Sequence, residues 1–239
     1  MPTETARLPL IAKRSKPLTG SVRPPGDKSI SHRAIMLGTL AIGETAIEGM
    51  LEGEDILATA TAMRAFGATV TRTGPGAWRV AGMGVGGLLE PETVIDYGNA
   101  GTGVRLAMGI AGSHAFATTF TGDASLVRRP MGRILEPLRR MGVQVLARSG
   151  DTLPATIRGP DALVPIEYRL PVASAQVKSA ILLAALNSPG VTSVIEPTAT
   201  RDHTERMLTA FGAAIDIETA EDGARVIRVQ GGQPLKPQK

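Results

Sequence analysis

The chain has 239 residues, 43% of them hydrophobic and 20% charged, which excludes a disordered chain and leaves room for a sizeable core. It has no cysteine, so disulfides, thiolate nucleophiles and Cys-ligated metals are excluded, and its three histidines stand too far apart in sequence for metal-ligand spacing. A net charge of +4 suits an anionic partner, and aromatics at 3% offer few stacking platforms, so a small anion is favoured over nucleic acid.

No apolar run reaches the length of a membrane span, and residues 1–20 lack the apolar region of a signal peptide, so the cytoplasm is the expected compartment. From residue 21 the chain reads as one unit written three times, over about 21–83, 94–160 and 165–232. The first copy opens with a leading strand in "GSVRPPG". A helix apolar on nearly every side follows in "DKSISHRAIMLGTLAIG", then a β-like run in "ETAIEG". An amphipathic helix ends at "MRAFGATV", and "ATVTRTGPGAWRVAG" reads as a strand pair around a Gly turn.

The second copy runs through "VIDYGN", "NAGTGVRLAMGIAG" and "ATTFTGD" to a helix ending "LRRMGVQV". The third runs through "SAQVKSAILLAALN" and "VTSVIEP" to "LTAFGAAI" and the strand pair "AAIDIETAEDGARVIRVQG". Gly67, Gly142 and Gly212 are the shared helix C-caps. The expected fold is α/β (α+β): three βαβαββ-type units around a pseudo-threefold axis, with buried central helices and sheets outside.

In that arrangement three helix N-termini, at "GDKS", "NAGT" and "VASAQ", face one surface. Their free N–H groups and dipoles make an anion site lined by Lys28, Ser29, Arg33, Ser174 and Gln176. Each motif also has a plainer reading. The first could be a capped helix start, "GNAGTG" an ordinary turn, and Ser174 and Gln176 a helix cap. One of Arg128 and Arg129 is expected to be only solvated. His32 and His203 read as structural, Met36, Met63, Met108 and Met207 as core, and Trp78 as packing on a sheet edge. Glu52, Glu54 and Asp55 suit the start of the second helix.

Four long motifs then occur in order: "PPGDKSISHRAIMLGTLAIGET", "YGNAGTGVRLAMG", "GDASLVRRPMGRILEPLRRMGVQV" and "VASAQVKSAILLAALN". Together they resemble the N-terminal half of the 5-enolpyruvylshikimate-3-phosphate synthase (EPSP synthase) family, in the wording of the bacterial glyphosate-tolerant type. The resemblance runs from about residue 8 to the C-terminus. It implies one domain of a two-domain enolpyruvyl transferase. The resemblance further implies that residues 1–20 cross to the other domain, that 233–239 form the hinge, and that the second domain, with the acid/base carboxylates, is absent.

The implied reaction moves the enolpyruvyl group of phosphoenolpyruvate to the 5-hydroxyl of shikimate 3-phosphate, within the shikimate pathway of aromatic amino acid biosynthesis. It needs no cofactor and no metal, and an inactive, monomeric isolated chain is expected. By matched motif, Lys28 is the catalytic lysine touching both substrates. Shikimate 3-phosphate falls to Lys28, Ser29, Arg33, Ser174, Ala175, Gln176 and Arg201. Arg33 lies on the carboxylate side, and Ala175, where the family often has a second serine, offers only its backbone. Phosphoenolpyruvate falls to Lys28, Gly101, Arg129 and Gln176. Several tolerant relatives carry alanine where this chain has Gly101, so glyphosate is expected to enter more readily here.

Rival readings remain a UDP-N-acetylglucosamine enolpyruvyl transferase and a non-catalytic anion-binding module or RNA-handling relative. The first usually relies on a loop cysteine, which this chain lacks. Scarce aromatics speak against RNA.

Overall fold

A computed structural model describes residues 10–239. Expectations for residues 1–9, including most of the crossover segment, lie outside the described residues. No helix among the described residues is long and apolar enough to cross a membrane.

The three copies fold alike. The first holds α1 (Lys28–Leu40), β1 (Ile42–Ile47), α2 (Glu54–Ala65), β2 (Thr69–Gly74) and β3 (Ala77–Met83). The second holds β4 (Ile95–Asp96), α3 (Gly101–Ala111), β5 (Ala117–Thr121), α4 (Gly132–Arg140), β6 (Gln144–Arg148) and β7 (Thr152–Arg158). The third holds β8 (Glu167–Arg169), α5 (Ala175–Ala185), β9 (Val191–Glu196), α6 (His203–Ala210), β10 (Ala214–Thr219) and β11 (Arg225–Gln230).

Each copy makes its own sheet. The strand orders are β1-β3-β2, β4-β5-β7-β6 and β8-β9-β11-β10. The leading strands β4 and β8 run parallel to β5 and β9, and every other pairing is antiparallel.

The leading strand expected at "GSVRPPG" does not form. Pro24 and Pro25 have no N–H to give a ladder, and the open edge of β1 is taken by the C-terminal segment instead. Ile42 N–H donates to Leu235 O at 3.0 Å and Ala46 N–H to Gln238 O at 2.8 Å, with a parallel bridge between Ala41 and Leu235. The tail thus fills, in the same parallel sense, the place that β4 and β8 hold in their sheets.

The helices close a ring. Within it α2 packs on α3, α4 on α5, and α6 back on α1, while α3 and α5 lie against each other. Central helices α1, α3 and α5 are buried around almost their whole circumference, matching their lack of a polar face. Their closeness depends on a small residue: a Cβ at Gly109 would lie 2.2 Å from Ala180 O.

Outer helices α2, α4 and α6 end alike. Gly67, Gly142 and Gly212 sit at φ of 97°, 96° and 77°, and the residue after each donates back across the last turn, as Ala68 N–H does to Met63 O at 3.1 Å. This paired bond explains why the same "G" recurs in three otherwise different helices.

The core is aliphatic and Met-rich, with Met36, Met63 and Met108 fully buried; Met207 lies at its rim. Trp78 corrects the sheet-edge expectation. It belongs to β3, the middle strand of its sheet, is buried, and donates through Nε1 to Glu52 at 2.8 Å. Glu52 correspondingly precedes α2 and pairs with Arg72, while Glu54 and Asp55 occupy the first turn.

Candidate functional site

The first turns of α1, α3 and α5 meet at one face, and side chains from one helix bond to the next across it. Asp27 caps α1, its Oδ1 accepting from Ile30 N–H at 2.8 Å. Ser174 caps α5, its Oγ accepting from Val177 N–H at 3.4 Å. Helix α3 has no side-chain cap, so its start at Gly101 leaves the orphan N–H groups of its first turn uncapped by any side chain.

One group of cations surrounds Ser29. Arg201, in the loop between β9 and α6, donates through Nη1 to Ser29 Oγ at 3.2 Å. Arg33, one turn along α1, is only 3% exposed. Its Nη1 donates to Ser29 O at 2.9 Å, its Nε to Thr204 Oγ1 at 2.6 Å and its Nη2 to Ser179 Oγ at 2.7 Å. Arg33 therefore fastens α1 to α5 and α6 while lying directly beneath Ser29. Its pKa is lowered to about 10, chiefly by burial and next by neighbouring Arg201, with Glu205 and Asp27 opposing the shift. Lys28 stands at the outer edge of this group, its Nζ donating to Asp55 Oδ2 at 2.6 Å.

The second group surrounds Gly101. Arg105, one turn into α3, is almost fully buried and donates through Nη1 to Gly101 O at 3.2 Å and through Nη2 to Pro130 O at 3.3 Å. Burial lowers its pKa, and the charges of Arg133 and Arg129 add to that shift. Arg129 donates through Nη2 to Ser125 Oγ at 3.2 Å and to Asn99 Oδ1, and Asn99 in turn donates to Asp123 Oδ2 at 2.6 Å. Asp123 is held below its ordinary pKa chiefly by the Leu126 N–H, with the Asn99 amide next.

Gln176 joins the second group to α5. Its Nε2 donates to Thr102 Oγ1 at 2.9 Å, and its Oε1 accepts from Arg105 Nη1 at 3.4 Å. Ala175, the first residue of α5, has no polar side chain to offer, and its carbonyl accepts from Ser179 Oγ at 2.6 Å.

All nine residues singled out in the sequence thus lie on or beside these three helix starts. Arg128 is exposed, while its neighbour Arg129 is the one engaged. His203 begins α6, and His32 is buried with Nδ1 on Thr59 Oγ1 at 2.7 Å.

Sequence reasoning missed Arg105, Thr102, Asn99, Asp55, Ser179 and Thr204. For Arg105 a signal existed: one arginine inside the otherwise apolar "GTGVRLAMGIA", four residues after Gly101. A cavity of about 570 Å³ beside α5, lined in part by Arg133, Tyr168, Val172 and Ser174, shares only Ser174 with the nine.

The profile of the family described as EPSP synthase (3-phosphoshikimate 1-carboxyvinyltransferase) matches residues 12–239. The chain belongs to the EPSP synthase family. Among relatives, the 3-phosphoshikimate 1-carboxyvinyltransferase of Novosphingobium aromaticivorans is 62% identical over 222 residues, covering 93% of this chain and 50% of the relative. That of Paracoccus denitrificans is 62% identical over 231 residues, covering 97% of this chain and 52% of the relative. Among solved structures, an EPSP synthase from Acinetobacter baumannii superposes with a TM-score of 0.85 at 47% identity, over 92% of this chain and 48% of that one. The chain therefore spans about half the length of the EPSP synthases it matches.

Proposed function

We propose that this chain supplies the shikimate 3-phosphate side, and part of the phosphoenolpyruvate side, of an EPSP synthase active site. One observation carries the reading. Arg33, Arg105, Arg129 and Arg201 surround three helix N-termini, and among the described residues none of the four has a carboxylate within 4.0 Å. Unpaired guanidinium groups beside helix starts favour anions from outside the chain. They form two groups, as two anionic substrates require.

The Ser29 group, with Arg201, Ser174 and the Ala175 backbone, suits the phosphate and ring of shikimate 3-phosphate. Arg33 contributes there chiefly by holding Ser29, since three of its nitrogens already donate within the protein. The Gly101 group, with Arg129 and Gln176, suits phosphoenolpyruvate, and Lys28 reaches both.

The reaction adds the 5-hydroxyl oxygen to C2 of phosphoenolpyruvate while C3 takes a proton and the hydroxyl loses one. The tetrahedral adduct then breaks its C2–O bond to phosphate, and C3 gives up a proton to restore the double bond. Lys28 and the helix ends stabilise the phosphate and carboxylate charge during both steps. The groups that move the protons come from the half of the family's length that this chain does not span. That half is the expected partner, and no metal or cofactor enters the scheme.

Calorimetric titration of shikimate 3-phosphate into the chain, with Lys28→Ala and Ser174→Ala beside it, tests the reading. Saturable binding weakened about tenfold or more by each change is expected. Binding indifferent to both changes, or no binding at millimolar ligand, would overturn the claim that the half-site is preformed here.

A further inference from the structure

Behind the Ser29 group lies a buried charge network that the proposed ligand contacts leave unused. Lys178 of α5, Glu196 at the end of β9 and Glu205 of α6 all have fully buried side chains. Lys178 Nζ donates to Glu196 Oε2 at 3.0 Å and to Glu205 Oε1 at 2.8 Å. Glu196 then reaches forward: its Oε1 accepts from Thr200 N–H at 3.0 Å and from Thr200 Oγ1 as well. The next residue is Arg201, whose guanidinium meets Ser29.

We propose that Glu196 and Thr200 form a positioning device for Arg201, with Lys178 as its anchor. Residues 197–199 of the loop are exposed, so the Thr200 grip is where this loop is fixed to the buried network. An exposed arginine on a free loop would lose much rotamer freedom on meeting a ligand; one carried by a fixed backbone loses less. Glu196 cannot drift, because leaving Lys178 would strand a buried charge. Arg225 Nη1 also approaches Glu205 Oε1 at 3.9 Å, so two cations balance the two carboxylates, and Glu205 opposes the lowering of the Arg33 pKa, which ties the same network to both guanidinium groups around Ser29. Thr200, Glu196 and Lys178 touch no proposed ligand and act through Arg201.

The inference rests on the reading that Arg201 meets the phosphate of shikimate 3-phosphate, and its test separates the two. Shikimate 3-phosphate is titrated into the wild-type chain, Thr200→Val, Thr200→Ser, Arg201→Ala and the Thr200→Val/Arg201→Ala pair. Thr200 is only half-buried, so valine fits there without unfolding the chain. Thr200→Val should weaken binding about fivefold, Thr200→Ser should restore it, and Thr200→Val should add nothing once Arg201 is alanine. Equal weakening in both backgrounds, or none in either, would overturn the device.

The Arg201 Nε–Hε resonance of the ligand-free chain gives a second readout. Thr200→Val should shift it and raise its mobility. If wild-type chain binds no shikimate 3-phosphate, the preformed half-site fails and this resonance still decides: unchanged in Thr200→Val, it overturns the positioning role too.

Discussion

Lys28 Nζ and Asp55 Oδ2 lie 2.6 Å apart, an ion pair between the first turns of α1 and α2 with side chains 54% and 23% exposed. A pair this open contributes under about 1 kcal/mol to folding. Its larger effect is on binding, since Asp55 competes with any incoming anion for the one lysine. Asp55→Asn should therefore leave the denaturation midpoint within about 1 kcal/mol of wild type, yet tighten shikimate 3-phosphate severalfold at low salt. The gain should shrink as salt is added. Weaker binding in Asp55→Asn would mean that Asp55 aims the lysine instead of competing for its charge.

Gln176 ties α5 to the Gly101 group while carrying no charge. Gln176→Glu would set a carboxylate where Oε1 now meets Arg105 Nη1 at 3.4 Å, giving that buried arginine an internal counter-ion. Stability should hold or rise slightly, and phosphoenolpyruvate binding should fall at least about tenfold because the cation is already satisfied. Ligand-detected NMR with phosphoenolpyruvate, alongside a melting curve, separates the two effects. A large loss of both together would instead point to lost packing between α3 and α5.

The triplicated fold was legible because each copy repeats the same local physics: an all-apolar helix, an amphipathic helix and a left-handed glycine. The first leading strand was not, because its place is filled by Leu235 and Gln238, some two hundred residues away, and no local pattern announces such a partner. The candidate site divides the same way. Lys28, Ser29, Ser174 and Gln176 stand in polar helix starts, where short-range signals are strong. Arg105 sits inside an apolar helix, and Thr204 and Ser179 matter only because the ring of helices brings α5 and α6 up to Arg33. Trp78 was misplaced for a related reason: a hairpin strand becomes central only when a third strand pairs with its other side.

His32 predicts a pH dependence of stability. Its ring is fully buried, Nε2 has no partner among the described residues, and burial lowers its pKa from 6.5 to about 4. Asp55 opposes that shift, while Lys28 and Arg33 reinforce it. Because the folded state resists protonation, the unfolded chain binds more protons between these two values. Stability is thus full above pH 6.5 and falls as pH drops toward 4, by up to about 3 kcal/mol. His114 is lowered in the same direction by burial and adds to the slope. Glu52, held at about 2 mainly by the Arg72 side chain, acts only below its ordinary value of 4.5. Urea denaturation from pH 7 to 4 should show the decline, and His32→Asn should flatten part of it. An unchanged slope in His32→Asn would assign the effect elsewhere.

Gly101 sets the room available beside Arg129. A Cβ there would lie 2.8 Å from Arg129 Nη1 and 3.1 Å from Arg105 Nη1, both at the ends of long side chains, so Gly101→Ala can be absorbed by moving a guanidinium. The fold should survive with a stability change under about 1 kcal/mol, because no backbone atom is struck. The anion site should not be so tolerant. A displaced Arg129 narrows the space next to the α3 N-terminus, which excludes a larger ligand more than a smaller one. Within the active enzyme, Gly101→Ala should raise the glyphosate concentration needed for half-inhibition at least about tenfold while raising the KM for phosphoenolpyruvate less. An inhibition curve that does not move would show that Arg129 yields without cost and that Gly101 does not control which anion enters.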